Sequence, residues 1–394
     1  MRSVIIRGMR RLRLLASGGA IAMSLTPSHA SSLRSPQPRV DIVATPDGGI
    51  QPQAAVDADG TIHLIYFKGE PGGGDLFYVR RKASAAGFSA PLRVNSEPGS
   101  AIATGSVRGG QIALGRNGWI HVAWNGSRPV ERNGVKQTPM WYARLPPAGT
   151  AFEPERAIGS QTKNLDGGGS VAADASGRVY VAWHAAGTVE GEPHRPIYVA
   201  TSTDDGARFG PEKGFANEGG ACGCCGVETL VDSRGRLQIL YRSAGAMIHR
   251  DAMWMTLDPR GASAPVRLQP WELPACPMTT FAMAAAPDGI VAAWETQQQI
   301  YSAVLNPDRR QISAVTAMAG TAVRKHPSVA IDVAGDRLIA WTEGTAWARG
   351  GTVAWEVRNR WDERIASRAN AGVVPVWGLV SAVARPDGSF LILH

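Results

Sequence analysis

The 394-residue chain is poor in cysteine, with four, and in aromatic side chains, at 7%. A chain this long can bury a sizeable core without covalent help. It is therefore not a disulfide-scaffolded mini-protein, and its cysteines need a local explanation. It also lacks any Lys/Arg cluster interleaved with aromatics, which excludes a nucleic-acid footprint. Long apolar runs are missing too. The one candidate, Leu14 to Leu25, is short and broken by Ser and Gly, so it does not span a bilayer comfortably.

That apolar stretch has a different use. Arg2, Arg7, Arg10, Arg11 and Arg13 precede it, and Ser28-His29-Ala30 follows with small residues where a signal peptidase reads. The pattern predicts a secretory leader over 1–30, a flexible mature N-terminus over 31–39 and a single domain over 40–394. The flanks of Arg10-Arg11 fit twin-arginine export poorly. The implied location is periplasmic or secreted, with no integral membrane segment after cleavage. Removing five leader arginines takes the formal charge from +8 to 8 − 5 = +3. A mildly basic surface suits an acidic partner without requiring one.

One pattern recurs seven times: a short apolar run, a polar turn ending in Gly, then a second apolar run. The turn glycines are Gly60, Gly118, Gly177, Gly235, Gly289, Gly335 and Gly388, spaced 46 to 59 residues apart. Period-2 strands repeated at such intervals indicate an all-β propeller. Six hairpins are followed by a third strand, for example Met140 to Leu145 and Ile197 to Ser202. The seventh runs into the C-terminus, and Val40 to Val43 can supply its outer strand. Seven blades, the last composite, is the favoured architecture, with six the alternative.

The segment Ser202-Thr203-Asp204-Asp205-Gly206-Ala207-Arg208-Phe209 follows a third strand and resembles the Asp-box turn of the sialidase/BNR-repeat superfamily. Lys82 to Phe88 and Pro146 to Phe152 are weaker echoes. In that family the box is a structural turn. The resemblance implies a propeller acting on or binding a glycan, with arginines holding a carboxylate and a Tyr/Glu pair and an Asp doing the chemistry. Arg242 is similar to one of those arginines, and Glu295 to the glutamate. The tyrosine's place reads Thr280-Phe281-Ala282-Met283, and the family's early arginine is not visible before Gln51. The chain also resembles exported sialidase-like proteins with a Cys-x-Cys-Cys segment and a later Cys-Pro.

Propeller topology places loops entering first strands and loops leaving second strands on one face, near the axis. That brings together Asp166, the Cys222 to Cys225 segment, Cys276, Lys325 and His326 with Asn125, His184, Arg242, Glu295 and Glu343. Catalytic candidates are Glu295, Glu343 and Asp166, since glycoside hydrolysis needs two carboxylates. Substrate-binding candidates are Arg242, Arg250, Lys325, His326, His184 and Trp347, which offer cations, imidazoles and a stacking ring. An Arg250–Asp251 surface pair is the plain alternative for Arg250.

The cysteines carry the most specific signal. Cys222, Cys224, Cys225 and Cys276 lie at equivalent places in consecutive blades. Two disulfides are one reading, and four cysteines allow three pairings. The other is a copper or zinc thiolate site with His249, His184 or His326 as a further ligand. Three functions follow: a glycan-directed propeller with hydrolase chemistry, a metal-thiolate propeller in envelope metal handling or redox chemistry, and a non-catalytic binding scaffold. Oligomeric state has no sequence signal.

The leader predicts that the exported chain begins at Ser31. Edman or mass analysis of secreted material checks this, and an intact Met1 terminus would refute it.

Overall fold

The computed structural model describes residues 38–394 apart from 133, 160–164 and 216–218. The expected leader and residues 31–37 lie outside the described residues. Among those described, no helix is long and apolar enough to cross a membrane.

Among the described residues, seven sheets of three or more strands follow one another along the chain, and each is one blade; a two-stranded hairpin, Val130–Arg132 with Val135–Gln137, stands apart. Blade 1 opens with Ile50–Val56 and Ile62–Glu70, blade 2 with Gln111–Leu114 and Ile120–Asn125, blade 3 with Ser170–Ala173 and Val179–His184. Blades 4, 5 and 6 open with Glu228–Val231, Phe281–Ala286 and Arg324–Ile331. Blade 7 is composite: Ser381–Ala384 and Phe390–Leu393 are completed by Val40–Val43. That last strand runs parallel to its neighbour, pairing Val40 with Phe390 and Val43 with Leu393. The third strands stand where the repeat predicts them, with Met140–Leu145 and Ile197–Ser202 matching end to end. Short outer strands such as Leu92–Arg93 and Lys213–Phe215 carry no such pattern and were not foreseen.

The turns repeat for a physical reason. Asp57, Asp174, Asp232 and Asp332 each accept two backbone N–H groups of their own turn through one carboxylate oxygen. The glycines ending these turns have positive φ, as at Gly60 (75°) and Gly177 (90°), which only Gly adopts cheaply. The Ser202 to Phe209 turn is also closed internally. Ser202 Oγ donates to Asp204, Asp204 accepts the Arg208 N–H, and Phe209 packs edge-on against Tyr142.

The core is a ring of seven apolar seams, one between each pair of neighbouring blades. Alternation along each second strand feeds two seams at once. In blade 5, Ile290, Ala292 and Trp294 pack toward blade 4, while Val291 and Ala293 pack toward blade 6. Both faces are therefore buried, which is why these strands read as unbroken apolar runs. The seam between blades 7 and 1 joins Leu391 and Leu393 to Leu64 and Tyr66.

Ile42 sits in the closing strand and packs on the blade 6–7 seam. Ile42→Asp puts a charge into that seam and should cost about 2–4 kcal/mol. A urea titration checks this; an unchanged midpoint would show that the closing strand is dispensable.

Candidate functional site

The first strands line an axial cavity of about 340 Å³, bordered by Gln51, Glu228, Phe281 and His326 among others. Gln51 and His326 occupy matching β-bulges in blades 1 and 6, with φ of 52° and 53°. His326 was expected in an entering loop; it belongs to a bulged strand instead. Burial, then the Lys325 charge, pulls its pKa down to about 3, so it is neutral.

Neighbouring blades are tied to one another around the channel by a circle of hydrogen bonds. Gln51 Nε2 donates to the Trp377 and Ala103 carbonyls, joining blades 7, 1 and 2. Arg108 Nε donates to the Asp166 carbonyl, Val227 N to Gly168, and Gly226 N to Thr279, carrying the circle through blade 5. Lys325 Nζ donates to the Pro277 carbonyl at 2.7 Å, and Ala382 N to Ser328 Oγ, which completes it. Above the circle, Gly105 from blade 2 lies against Met278 from blade 5 and Trp347 from blade 6. A Cβ at Gly105 would come within 2.9 Å of the Met278 methyl and 3.7 Å of the Trp347 ring. Blades 2 and 5 face each other across the ring, so this cluster overhangs the axis. Trp347 is 63% exposed and stands edge-on to Trp377 at 4.7 Å.

Most of the charged residues foreseen for an open mouth are buried. Arg242 is 1% exposed. Its Nε donates to Thr279 Oγ1, and its two terminal nitrogens donate to the carbonyls of Arg250 and Glu295. Its face covers Trp271 and Phe281. A buried guanidinium spent this way holds three loops together and does not reach for substrate. Arg250 pairs with Glu192 at 2.7 Å, while Asp251 accepts the Trp271 N–H and faces Arg267, so the Arg250–Asp251 pair does not form.

Glu295 is 1% exposed, with Lys325 Nζ 3.5 Å from its Oε2. Burial raises its pKa to about 7 against the pull of Lys325 and Arg242. Glu343 accepts from Arg324 and Trp341 through one oxygen. Asp166 is half-exposed and bonded to Arg108. The three carboxylates are thus held by three different cations, and no open pair faces a common cleft. His184 is buried, with Nε2 2.9 Å from the Cys225 carbonyl and its pKa brought down to about 4 by burial, then by Arg195.

Cys224 is bonded to Cys276, which staples the entering loops of blades 4 and 5. Cys222 and Cys225 are free thiols, so one disulfide forms and not two. Their sulfurs lie 3.2 Å apart. Burial pushes the Cys225 thiol up, but the Cys222 hydrogen bond, Arg242 and Thr279 outweigh it and bring it down to about 6. The shared hydrogen bond, then burial, push Cys222 up. Among the described residues the sulfur cluster contains no histidine or carboxylate, and His249 stands half-exposed near Glu272 instead. With Cys224 spent in a disulfide, the donor set falls to two thiols, which does not fit the expected copper or zinc site of three or four thiolates.

Residues missed at the sequence level include Gln51, Trp377, Glu192, Thr279 and Glu228. Only Gln51 had a signal, its place at the head of a first strand. Glu228 lines the channel, and burial alone raises its pKa to about 8.

No family model matches the chain, and no curated protein matches it by sequence. By fold it is similar to the BP39L lectin from Burkholderia pseudomallei (TM-score 0.63, 11% identity, 87% of this chain and 95% of that one). It is also similar to the NanB sialidase from Streptococcus pneumoniae (TM-score 0.54, 8% identity, 82% and 70%). A protein of unknown function from Dyadobacter fermentans matches with TM-score 0.52 and 14% identity over 81% and 97%. At such identities these likenesses show the propeller fold.

Glu228 makes a pH prediction. Its folded pKa of about 8 lies above the ordinary 4.5, so the folded chain keeps a proton the unfolded chain has released. The group therefore costs stability as pH rises through that window, and Glu295 acts with the same sign. Glu228→Gln should gain on the wild type steadily from pH 5 to pH 9 in thermal melts. A constant gap would show that Glu228 ionises freely in the fold.

Proposed function

We propose that the chain is an exported, periplasmic or secreted, carbohydrate-binding propeller that takes an acidic glycan on its capped axial end. Trp347 is the stacking platform and Lys325 the cation offered to the acid group. The observation that carries this reading is the Trp347–Trp377 pair, exposed where loops of blades 2, 5, 6 and 7 meet. A large exposed ring held by a second ring costs solvation and offers a flat apolar face with little entropy left to lose. Lys325, largely buried, is anchored on the carbonyl preceding Met278 and faces Glu295 at 3.5 Å.

Binding suits the site better than hydrolysis. Glycoside cleavage needs one carboxylic acid and one carboxylate on opposite sides of the bond. Glu295 is sealed beneath the cap, Glu343 is held by Arg324, and Asp166 by Arg108. Fold likeness to a lectin and to a sialidase supports a sugar ligand without choosing between them.

Titrating the mature protein with a panel of acidic and neutral oligosaccharides tests the reading. Acidic sugars should bind without release of reducing ends, and Trp347→Ala should weaken binding about tenfold, or 1.4 kcal/mol. Indifference to Trp347 would overturn it. Sugar release abolished by Glu295→Gln would restore the hydrolase reading.

A further inference from the structure

The glycan reading leaves the sulfur cluster unexplained. Cys222 Sγ lies 3.2 Å from Cys225 Sγ on one side and 3.5 Å from Cys224 Sγ on the other. Cys224 is in turn bonded to Cys276. The four sulfurs thus form one cluster of dithiol and disulfide, in which Cys222 touches both and the Cys222, Cys224 and Cys225 sulfurs all lie within 4.8 Å of one another. Burial is graded across it. Cys222 and Cys225 are each 1% exposed and Cys224 8%, while Cys276 is exposed. A disulfide needed only as a staple would not require a buried dithiol in contact with one of its sulfurs.

We propose that these four cysteines are a thiol–disulfide exchange site that moves a disulfide bond between the buried Cys222/Cys225 pair and the Cys224/Cys276 pair, and meets external thiols or disulfides at Cys276. The surroundings suit thiolate chemistry. Arg242 lies beside Cys225, and Thr279 Oγ1 is 3.5 Å from its sulfur. Arg250 places a second positive charge near Cys222. The cations favour the thiolate on Cys225, which serves as the base that activates the attacking Cys222 sulfur.

The exchange balances internally. Cys222 passes its proton to the Cys225 thiolate as its sulfur attacks Cys224. The Cys222–Cys224 bond forms, the Cys224–Cys276 bond breaks, and Cys276 leaves as a thiolate. Cys225 then loses its proton, which returns through solvent to Cys276, and attacks Cys222. The Cys222–Cys225 bond forms and Cys224 leaves as a thiolate. One disulfide and two reduced sulfurs are present throughout. Net reduction or oxidation enters from outside, as a thiol or disulfide reacting at Cys276. The site stands apart from the glycan reading and survives its failure.

The test uses the full mature chain, oxidised to two disulfides. One equivalent of tris(2-carboxyethyl)phosphine is added, samples are acid-quenched over time and alkylated, and the labelled cysteines are mapped by mass. The exchange site predicts label first on Cys224 and Cys276, then moving to Cys222 and Cys225 at constant total thiol. Cys222→Ser, which can hold only the Cys224–Cys276 bond, is the single-disulfide control: its label falls on Cys224, Cys276 and the free Cys225 and does not redistribute. If that variant fails to fold, the wild-type time course decides alone. Label that never leaves Cys224 and Cys276 overturns the proposal. So does failure to form a Cys222–Cys225 bond, or stoichiometric zinc or copper retained on that pair.

Discussion

Ring closure is the constraint on which the rest of the molecule depends. No blade owns its core. Each seam takes half its side chains from one blade and half from the next, so a blade at an open end would expose a full apolar face. The seventh blade removes that end by borrowing Val40–Val43 from the start of the chain. Parallel pairing lets the strand enter beside Phe390 and leave toward blade 1. Asp41 meets Arg385, and the Arg39 carbonyl accepts the Phe390 N–H. The same closure holds the axial loops at fixed distances, so a circle of single hydrogen bonds can lace them.

The lacing separates two environments. Outside it are water and an exposed tryptophan. Inside it are a guanidinium, a carboxyl group with raised pKa and a dithiol, all sealed from bulk solvent. Arg242 couples them, since its three hydrogen bonds reach the loops that carry Thr279, Arg250 and Glu295. A charge this deep is tolerated because each bond satisfies a carbonyl or hydroxyl that burial would otherwise orphan. Cys276 of the staple is an exposed residue while its partner Cys224 is buried.

Much of the fold was legible in the sequence, because two-sided burial forces apolar runs and positive φ forces glycine. Trp294 and Gly177 announce a seam and a turn without any structure. The outer strands were not legible, since Leu92–Arg93 and Gln311–Ile312 are two residues long and bury little. At the site, topology correctly gathered Arg242, Glu295, Lys325 and the cysteines. It could not say which would face water. Burial of Arg242 depends on Thr279, Trp271 and the Glu295 carbonyl, partners from two other loops that no local pattern names. Pairing of Cys224 with Cys276, leaving Cys222 and Cys225 reduced, likewise depends on where the loops meet.

The central claim is that recognition happens on the cap while Arg242 and Glu295 stay beneath it. A crystal structure of the mature protein soaked with an acidic oligosaccharide tests this most directly. The account predicts a sugar ring over Trp347, its carboxylate toward Lys325, and the Arg242–Thr279 and Arg242–Glu295 hydrogen bonds intact. A sugar lodged under the lacing, in contact with Arg242 and Glu295, would contradict it.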